Sequence, residues 1–294
     1  MSPAPMNPER PMSRTARPRR SVLYLPASNA RAVQKATTIP ADAVIFDLED
    51  AVAPSAKGDA RAQACAAVQS EQYGGRELTI RCNGLDTPWG HDDLAAAAAA
   101  GPAAVVVPKV SGAGHLDDVA ALVGDTRLWA MVETPAALFA IREIAAHPSV
   151  DVLVLGTNDL AKELHAALVP GRAPLLAHLA TALLGARDAG KVILDGVYND
   201  VTDSLGFEAE CLQGVQLGFD GKTLVHPTQV EIANRVWAPG PAELTQARRV
   251  LEAFEQARRD GRGVAVVDGR MVENLHVDTA RRVLATAQAV ADLS

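Results

Sequence analysis

The sequence predicts an α/β protein, a (β/α)8 TIM barrel followed by a C-terminal helical extension. Three observations carry this. Short apolar or β-branched runs recur eight times, Ala-rich helical segments fill the gaps between them, and the runs are continuous rather than strictly alternating. Continuous apolar strands are buried on both faces, as in a parallel sheet whose crossovers are helices. With 294 residues, 48% of them hydrophobic, the chain can fill one large core, and single α/β barrels reach this size.

The expected strands span residues 21–26, 43–50, 78–83, 104–110, 128–134, 150–156, 191–197 and 223–227. Helical segments over 61–69, 92–100 and 136–146 lie between them, and the alanine run at 95–100 carries helix propensity and nothing more. Eight such units close a barrel. Beyond residue 239 the pattern changes. Pro241 at a first turn and Gly261 past the end frame a helix over 241–260, followed by a short strand over 263–268 and a last helix over 277–292. The expected organisation is therefore a flexible arm over 1–19, a catalytic barrel over 20–238, and an extension over 239–294 that covers the mouth or packs on a neighbouring subunit.

Composition narrows the partners. A net charge of -7 and an aromatic fraction of 4% supply neither a basic field nor stacking rings, so nucleic acid is not expected as a partner. No apolar run of about 18 residues exists to span a membrane. Cys65, Cys82 and Cys211 are odd in number and form no C-x-x-C pair, which argues against a disulfide framework or a zinc site and for a reducing cytoplasm. Arg10, Arg14, Arg17, Arg19 and Arg20 crowd a start that has no apolar segment, so a secretory signal does not fit. The prolines there oppose the amphipathic helix of an organellar leader.

Polar residues gather where the strands stop being apolar, which is where a parallel barrel carries its chemistry. The second strand ends in Asp47, Glu49 and Asp50, three carboxylates within four residues that repel unless a cation or hydrogen-bond donors offset them. Period-two geometry sends Asp47 and Glu49 to one side and Asp50 to the other. Glu133 is a lone acid ending the fifth strand, and Asp159 follows the sixth, where it serves either as a helix cap or as a ligand. Together Glu133 and Asp159 form part of an octahedral oxygen site suited to Mg²⁺, completed by substrate and water. Arg81 ends the third strand, and its planar guanidinium suits a bidentate carboxylate. Lys109 ends the fourth and offers Schiff-base chemistry as a rival, one that leaves the carboxylates without a task.

At these residues the sequence resembles the citrate lyase beta-subunit-like family of the HpcH/HpaI aldolase group, which includes malyl-CoA and citramalyl-CoA lyases. The likeness runs through Arg20-Ser21-Val22-Leu23-Tyr24-Leu25-Pro26, Phe46-Asp47-Leu48-Glu49-Asp50, Arg81-Cys82-Asn83-Gly84, Pro108-Lys109, Glu133-Thr134, Gly156-Thr157-Asn158-Asp159, Gly218-Phe219-Asp220-Gly221-Lys222, His226-Pro227 and Asp268-Gly269-Arg270-Met271. The resemblance implies a carbon–carbon lyase that cleaves, or forms by Claisen or aldol-type condensation, a short 3-hydroxyacyl-CoA such as malyl-CoA or citramalyl-CoA. The products of cleavage are an acyl-CoA and a 2-keto acid. It implies Mg²⁺, with Mn²⁺ as a substitute, on Glu133 and Asp159. Arg81 would sit on the anionic substrate, Asp47, Glu49 and Asp50 on the metal's waters, and Arg20 and Lys35 by the mouth on the CoA phosphates. It also implies a homotrimer or hexamer in which one subunit's tail closes over the next site.

The tail departs from the family pattern. Lyase and synthase members commonly carry Asp in a Met-Ile-Asp-x-Pro segment, and this chain has Met271-Val272-Glu273-Asn274-Leu275. Glu273 stands where the base is expected, one methylene longer. Two alternatives remain beside the CoA lyase: a citryl-thioester lyase beta subunit working with an acyl carrier protein, and a metal-dependent aldolase acting on free hydroxy-keto acids.

Overall fold

The computed structural model describes residues 17–293. Eight parallel strands close a barrel in sequence order: β1 (Ser21–Pro26), β2 (Ala43–Asp47), β3 (Glu77–Arg81), β4 (Ala104–Val107), β5 (Arg127–Val132), β6 (Val150–Leu155), β7 (Val192–Asp195) and β8 (Gly221–Leu224). The strands are shorter than the sequence suggests at the ends that matter for chemistry. β4 stops before Pro108, which has no N–H to give a ladder. β2 stops at Asp47, whose side-chain oxygens accept from the N–H groups of Glu49 (2.9 Å) and Ala51 (3.1 Å) and turn the chain.

Alternation along each strand separates two cores. Val22, Ile45, Val106, Trp129, Met131 and Val154 fill the barrel interior, while their neighbours, such as Leu23, Phe46, Val105 and Leu153, pack outward against the helices. The inward series Ala43-Ile45, Trp129-Met131 and Val22 continue, two residues on, into Asp47, Glu133 and Tyr24. Apolar strands thus deliver polar groups at one end of the barrel.

At the other end, Arg19 was expected to belong to the arm but is buried. Its guanidinium pairs with Glu77 (Nε to Oε2, 2.6 Å) and lies over Trp129. Gly221 belongs to the same closure, because a Cβ there would overlap the Arg19 carbonyl oxygen. The rest of the expected arm, residues 1–16, lies outside the described residues. A second buried network, Lys222 with Asp195 (3.0 Å) and Glu210 (2.8 Å) and Arg172 with Asp195 (2.6 Å), ties β7 and β8 to the helix Ser204–Leu217. Breaking a buried pair of this kind costs about 3–5 kcal/mol. Lys222→Met is therefore expected to lower thermal stability sharply, read as a fall in Tm, and the paired change with Asp195→Leu to recover much of it.

The chain divides into two compact units, the barrel over Arg19–Trp237 and a C-terminal unit from Ala238 onward. In the latter, helices Pro241–Arg259 and Asn274–Asp292 flank a hairpin of β9 (Ala265–Val267) and β10 (Arg270–Val272). The single strand expected over 263–268 is thus half of a hairpin turned by Asp268-Gly269, both with positive φ (49° and 74°), as a type I′ turn requires. The last helix begins earlier than expected, at Asn274, because Glu273 caps it: its side chain accepts from the His276 N–H, and the His276 ring accepts from the Glu273 N–H (3.0 Å). Among the described residues no helix is long and apolar enough to cross a membrane.

Candidate active site

A cavity of about 330 Å³ opens at the C-terminal ends of the strands. Asp47, Asp50, Arg81, Glu133, Asn158 and Asp159 are among its polar lining, and Tyr24, Met131, Leu155, Val197 and Val225 among the rest. In-register pairing of β2 with β3 sets Asp47 beside Arg81. The guanidinium grips Asp47 with both arms, Nε to Oδ1 at 2.6 Å and Nη2 to Oδ2 at 2.7 Å. The bidentate carboxylate that Arg81 was expected to hold is therefore supplied from within the chain. Its third nitrogen, Nη1, lies 2.8 Å from Glu49 Oε2, an ion pair not aligned as a hydrogen bond. Burial works against the Arg81 cation, but Asp47 outweighs it and the pKa rises further.

Glu49 is buried, pairs with Lys109 Nζ and does not line the cavity, whereas Asp50 is exposed and does. This reverses the expected placement, since period two no longer applies once the strand has ended at Asp47. Behind the turn, Lys57 donates to the carbonyls of Leu48 (2.7 Å) and Glu49 (2.7 Å) and to Asn83 Oδ1 (2.8 Å), fixing the acidic loop. Nothing in the sequence marks Lys57, a lone lysine opening a helix.

Lys109 adopts a left-handed backbone (φ 50°), unusual for a residue with a Cβ. That conformation lets one residue do two things: its N–H donates to Glu133 Oε1 at 2.6 Å, and its ammonium reaches Glu49. Burial alone would lower the ammonium pKa, but Glu49 outweighs it and the net shift is upward. A lysine held protonated is a poor Schiff-base nucleophile, so the geometry speaks against that rival.

Glu133 is 1% exposed, and burial pushes its carboxyl up to about 7, opposed by the Lys109 N–H and reinforced by the charges of Glu49 and Asp159. Asp159 stands in the first turn of the helix Thr157–Glu163, which Gly156 rather than Asp159 caps. Among the described residues no set of three or more His, Cys, Asp or Glu is gathered as a metal cage. Two hard carboxylates lining one open cavity, Glu133 with its proton affinity raised by burial and by the charge of Asp159, nevertheless fit a divalent cation completed by water and ligand. Gly156 makes room for this arrangement, because a Cβ there would overlap Glu133 Oε2 and stand 2.5 Å from Glu133 Cβ. Gly156→Ala is expected to push Glu133 aside and to lower Mg²⁺ affinity and turnover by roughly ten-fold or more, at about 1.4 kcal/mol per decade. Calorimetric Mg²⁺ titration and a melting curve check this, and unchanged affinity would show that Glu133 does not need its present position.

Arg20 is not by the mouth. It precedes β1, at the opposite end of the barrel, and pairs with Asp42 (Nη2 to Oδ1, 2.8 Å). Lys35 is exposed on the helix Ala30–Ala36, which follows the mouth end of β1. Glu273 belongs to the C-terminal unit, where helix capping occupies it. Sequence reasoning missed Tyr24 and Met131, although their place two residues beyond Val22 and Trp129 on inward-facing series would have found them.

A closed (β/α)8 barrel whose carboxylates and guanidinium converge on a cavity at the C-terminal strand ends is the frame of a barrel enzyme. Residues 20–227 match the HpcH/HpaI aldolase/citrate lyase family. The chain is 53% identical over 280 residues to a (3S)-malyl-CoA thioesterase of Cereibacter sphaeroides, covering 95% of this chain and 98% of that protein. It is 37% identical over 287 residues to the citrate lyase subunit beta of Escherichia coli, covering 94% and 95%. Among solved structures, CitE from Mycobacterium tuberculosis in complex with magnesium, acetoacetate and coenzyme A shares the fold with a TM-score of 0.78 and 29% identity, covering 94% of this chain and all (100%) of that one. The chain belongs to the HpcH/HpaI aldolase/citrate lyase family and is an enzyme of the citrate lyase beta-like type.

Proposed function

We propose that this enzyme acts on a short hydroxyacyl-CoA thioester of the malyl-CoA kind at a Mg²⁺ centre on Glu133 and Asp159, and that its net reaction is hydrolysis of the thioester. The observation that carries the reading is the pairing of two cavity carboxylates, one with its pKa raised to about 7, beside the buried Arg81–Asp47 clamp. The likeness to a (3S)-malyl-CoA thioesterase along nearly the whole chain supports the substrate and favours hydrolysis. So does Glu273, whose carboxylate serves a helix cap where lyase relatives are expected to carry their base.

Bound between Glu133 and Asp159, Mg²⁺ would supply Lewis-acid polarisation and a template for the hydroxy-carboxylate end of the substrate. The chain's own groups do the rest. Arg81 offsets negative charge in the cavity, held in place by Asp47 and Glu49. Lys57 and Lys109 fix the acidic loop and orient Glu133. The small cavity, lined in part by Leu155, Val197 and Val225, admits a short acyl group, and Lys35 stands exposed for the CoA phosphates.

Carbon–carbon cleavage is the second reading, favoured by the likeness to citrate lyase subunit beta. The two outcomes break different bonds of malyl-CoA. Hydrolysis adds water across the thioester and gives malate and free CoA, while cleavage between Cα and Cβ gives glyoxylate and an acetyl thioester. Quantifying free thiol and keto acid from the purified chain alone decides between them, and activity without any acyl carrier protein removes the subunit alternative. Under hydrolysis Glu273→Gln, which keeps a capping oxygen, is expected to stay within about two-fold of the parent. A loss of more than about a hundred-fold with an unchanged melting curve would make Glu273 the base. Rescue by mixing Glu273→Gln with Glu133→Ala subunits would then show that tail and barrel meet between subunits of a trimer or hexamer.

A further inference from the structure

Tyr24 lies two residues beyond Val22 on β1, so its side chain continues the inward series into the wall of the cavity. The Arg81 guanidinium packs over its ring, 5.0 Å from the centroid. Two donors converge there on one poor acceptor: the Tyr24 hydroxyl donates to Met131 Sδ at 3.8 Å, and Arg81 Nη1 reaches the same sulfur at 3.9 Å. A thioether accepts weakly, whereas a phenol and a guanidinium are strong donors. Two arms of Arg81, Nε and Nη2, are committed to Asp47, and Nη1 also lies 2.8 Å from Glu49 Oε2 in an ion pair not aligned as a hydrogen bond. Burial drives the phenol pKa above its usual range, so the O–H stays a donor. The Tyr24 hydroxyl, resting on sulfur, and a guanidinium nitrogen whose nearest oxygen is not aligned as an acceptor both line the cavity and are poised for an oxygen.

We propose that Tyr24 Oη and Arg81 Nη1 together receive the thioester carbonyl oxygen of the substrate and the negative charge that develops on it. This rests on the CoA-thioester reading and deepens it, and it holds for either bond broken. In hydrolysis the water oxygen bonds to the carbonyl carbon and gives up one proton to bulk water, while the C=O electron pair moves onto the carbonyl oxygen. Collapse then expels the thiolate, which takes up a proton. In carbon–carbon cleavage the pair from the breaking Cα–Cβ bond is delocalised onto the same oxygen as the enolate. The proton of the hydroxyl that becomes the keto group passes to water, and the enolate carbon takes up a proton from water to give the acyl thioester. Donors aimed at charge that exists fully only in the transition state act on kcat more than on KM.

Tyr24→Phe keeps the ring and its stacking and removes only the hydroxyl. With malyl-CoA, kcat is expected to fall by roughly a hundred- to a thousand-fold, the loss typical of one missing donor, with KM and Mg²⁺ affinity within about two-fold of the parent. A kcat within about two-fold overturns the assignment. A second measurement needs no turnover: calorimetric binding of a CoA analogue in which CH2 replaces sulfur and a carboxylate replaces the acyl carbonyl, compared with its neutral primary amide. The parent is expected to prefer the carboxylate, and Tyr24→Phe to lose roughly ten-fold of that preference. Equal weakening of both analogues, or an unchanged preference, overturns the donor pair while the CoA reading stands. A parent that binds neither analogue overturns the CoA reading and the donor pair with it.

Discussion

Glu133→Gln is expected to abolish turnover and, in metal-free protein at pH 8, to raise stability by roughly 3 kcal/mol. The two effects share one cause. The Glu133 carboxyl titrates at about 7 in the fold against 4.5 as the reference value, chiefly because burial disfavours its charge. The folded state therefore binds the proton more tightly than the unfolded chain, and stability falls as pH rises from about 4.5 to about 7, by about 1.4 kcal/mol per unit. Above that window the cost is complete. The amide is neutral at every pH and still accepts from the Lys109 N–H, so the variant escapes the cost and keeps the hydrogen bond. Melting curves in EDTA should show the variant several degrees above the parent at pH 8 and level with it near pH 4.5. Added Mg²⁺ should stabilise the parent and leave the variant where it was. A variant that is less stable at pH 8 would mean that Glu133 is a structural carboxylate. A variant that still gains from Mg²⁺ would move the metal elsewhere.

Arg81→Lys is expected to lower turnover by roughly ten- to a thousand-fold, a charge-conserving change with a large effect. Lysine offers a point charge and cannot span both Asp47 oxygens while also reaching Glu49 and Met131. One buried partner is then left under-satisfied, so some loss of stability should accompany the loss of rate. Comparison with Asp47→Asn separates the roles. If Arg81 serves only to hold Asp47, the two variants lose activity equally. If its Nη1 also meets the substrate, Arg81→Lys loses more. A Lys variant within about two-fold of the parent would reduce the pair to scaffolding.

The parts of this site that are legible in the sequence are those governed by strand geometry. A polar residue closing an apolar strand lies at the strand's end, and parallel strands share that end, so Asp47, Arg81, Glu133 and the neighbourhood of Asp159 group together on sequence alone. Legibility stops where the chain leaves the strand. Asp47 ends β2 by bonding to the backbone beyond it, and that turn exchanges the expected sides of Glu49 and Asp50. The left-handed Lys109 and the buried Lys57 depend on partners from distant segments, Glu49, Glu133 and Asn83, which no local pattern announces. Likeness alone places Arg20 at the wrong end, although its position before β1 already fixes it at the opposite one. The Asp268-Gly269 pair is a readable hairpin signal that the single-strand reading passes over. Glu273 reads as chemistry alone, since a Glu-x-x-His cap lacks the usual serine or threonine signature.

The most direct test of the central claim is a time course with the purified chain and malyl-CoA, with Mg²⁺ and with excess EDTA, following free CoA, malate and glyoxylate. Metal-dependent consumption of malyl-CoA that disappears in EDTA and in both Glu133→Gln and Asp159→Asn is the predicted result, with malate and CoA as the main products. Consumption that is indifferent to EDTA, or that survives in either variant, would contradict it.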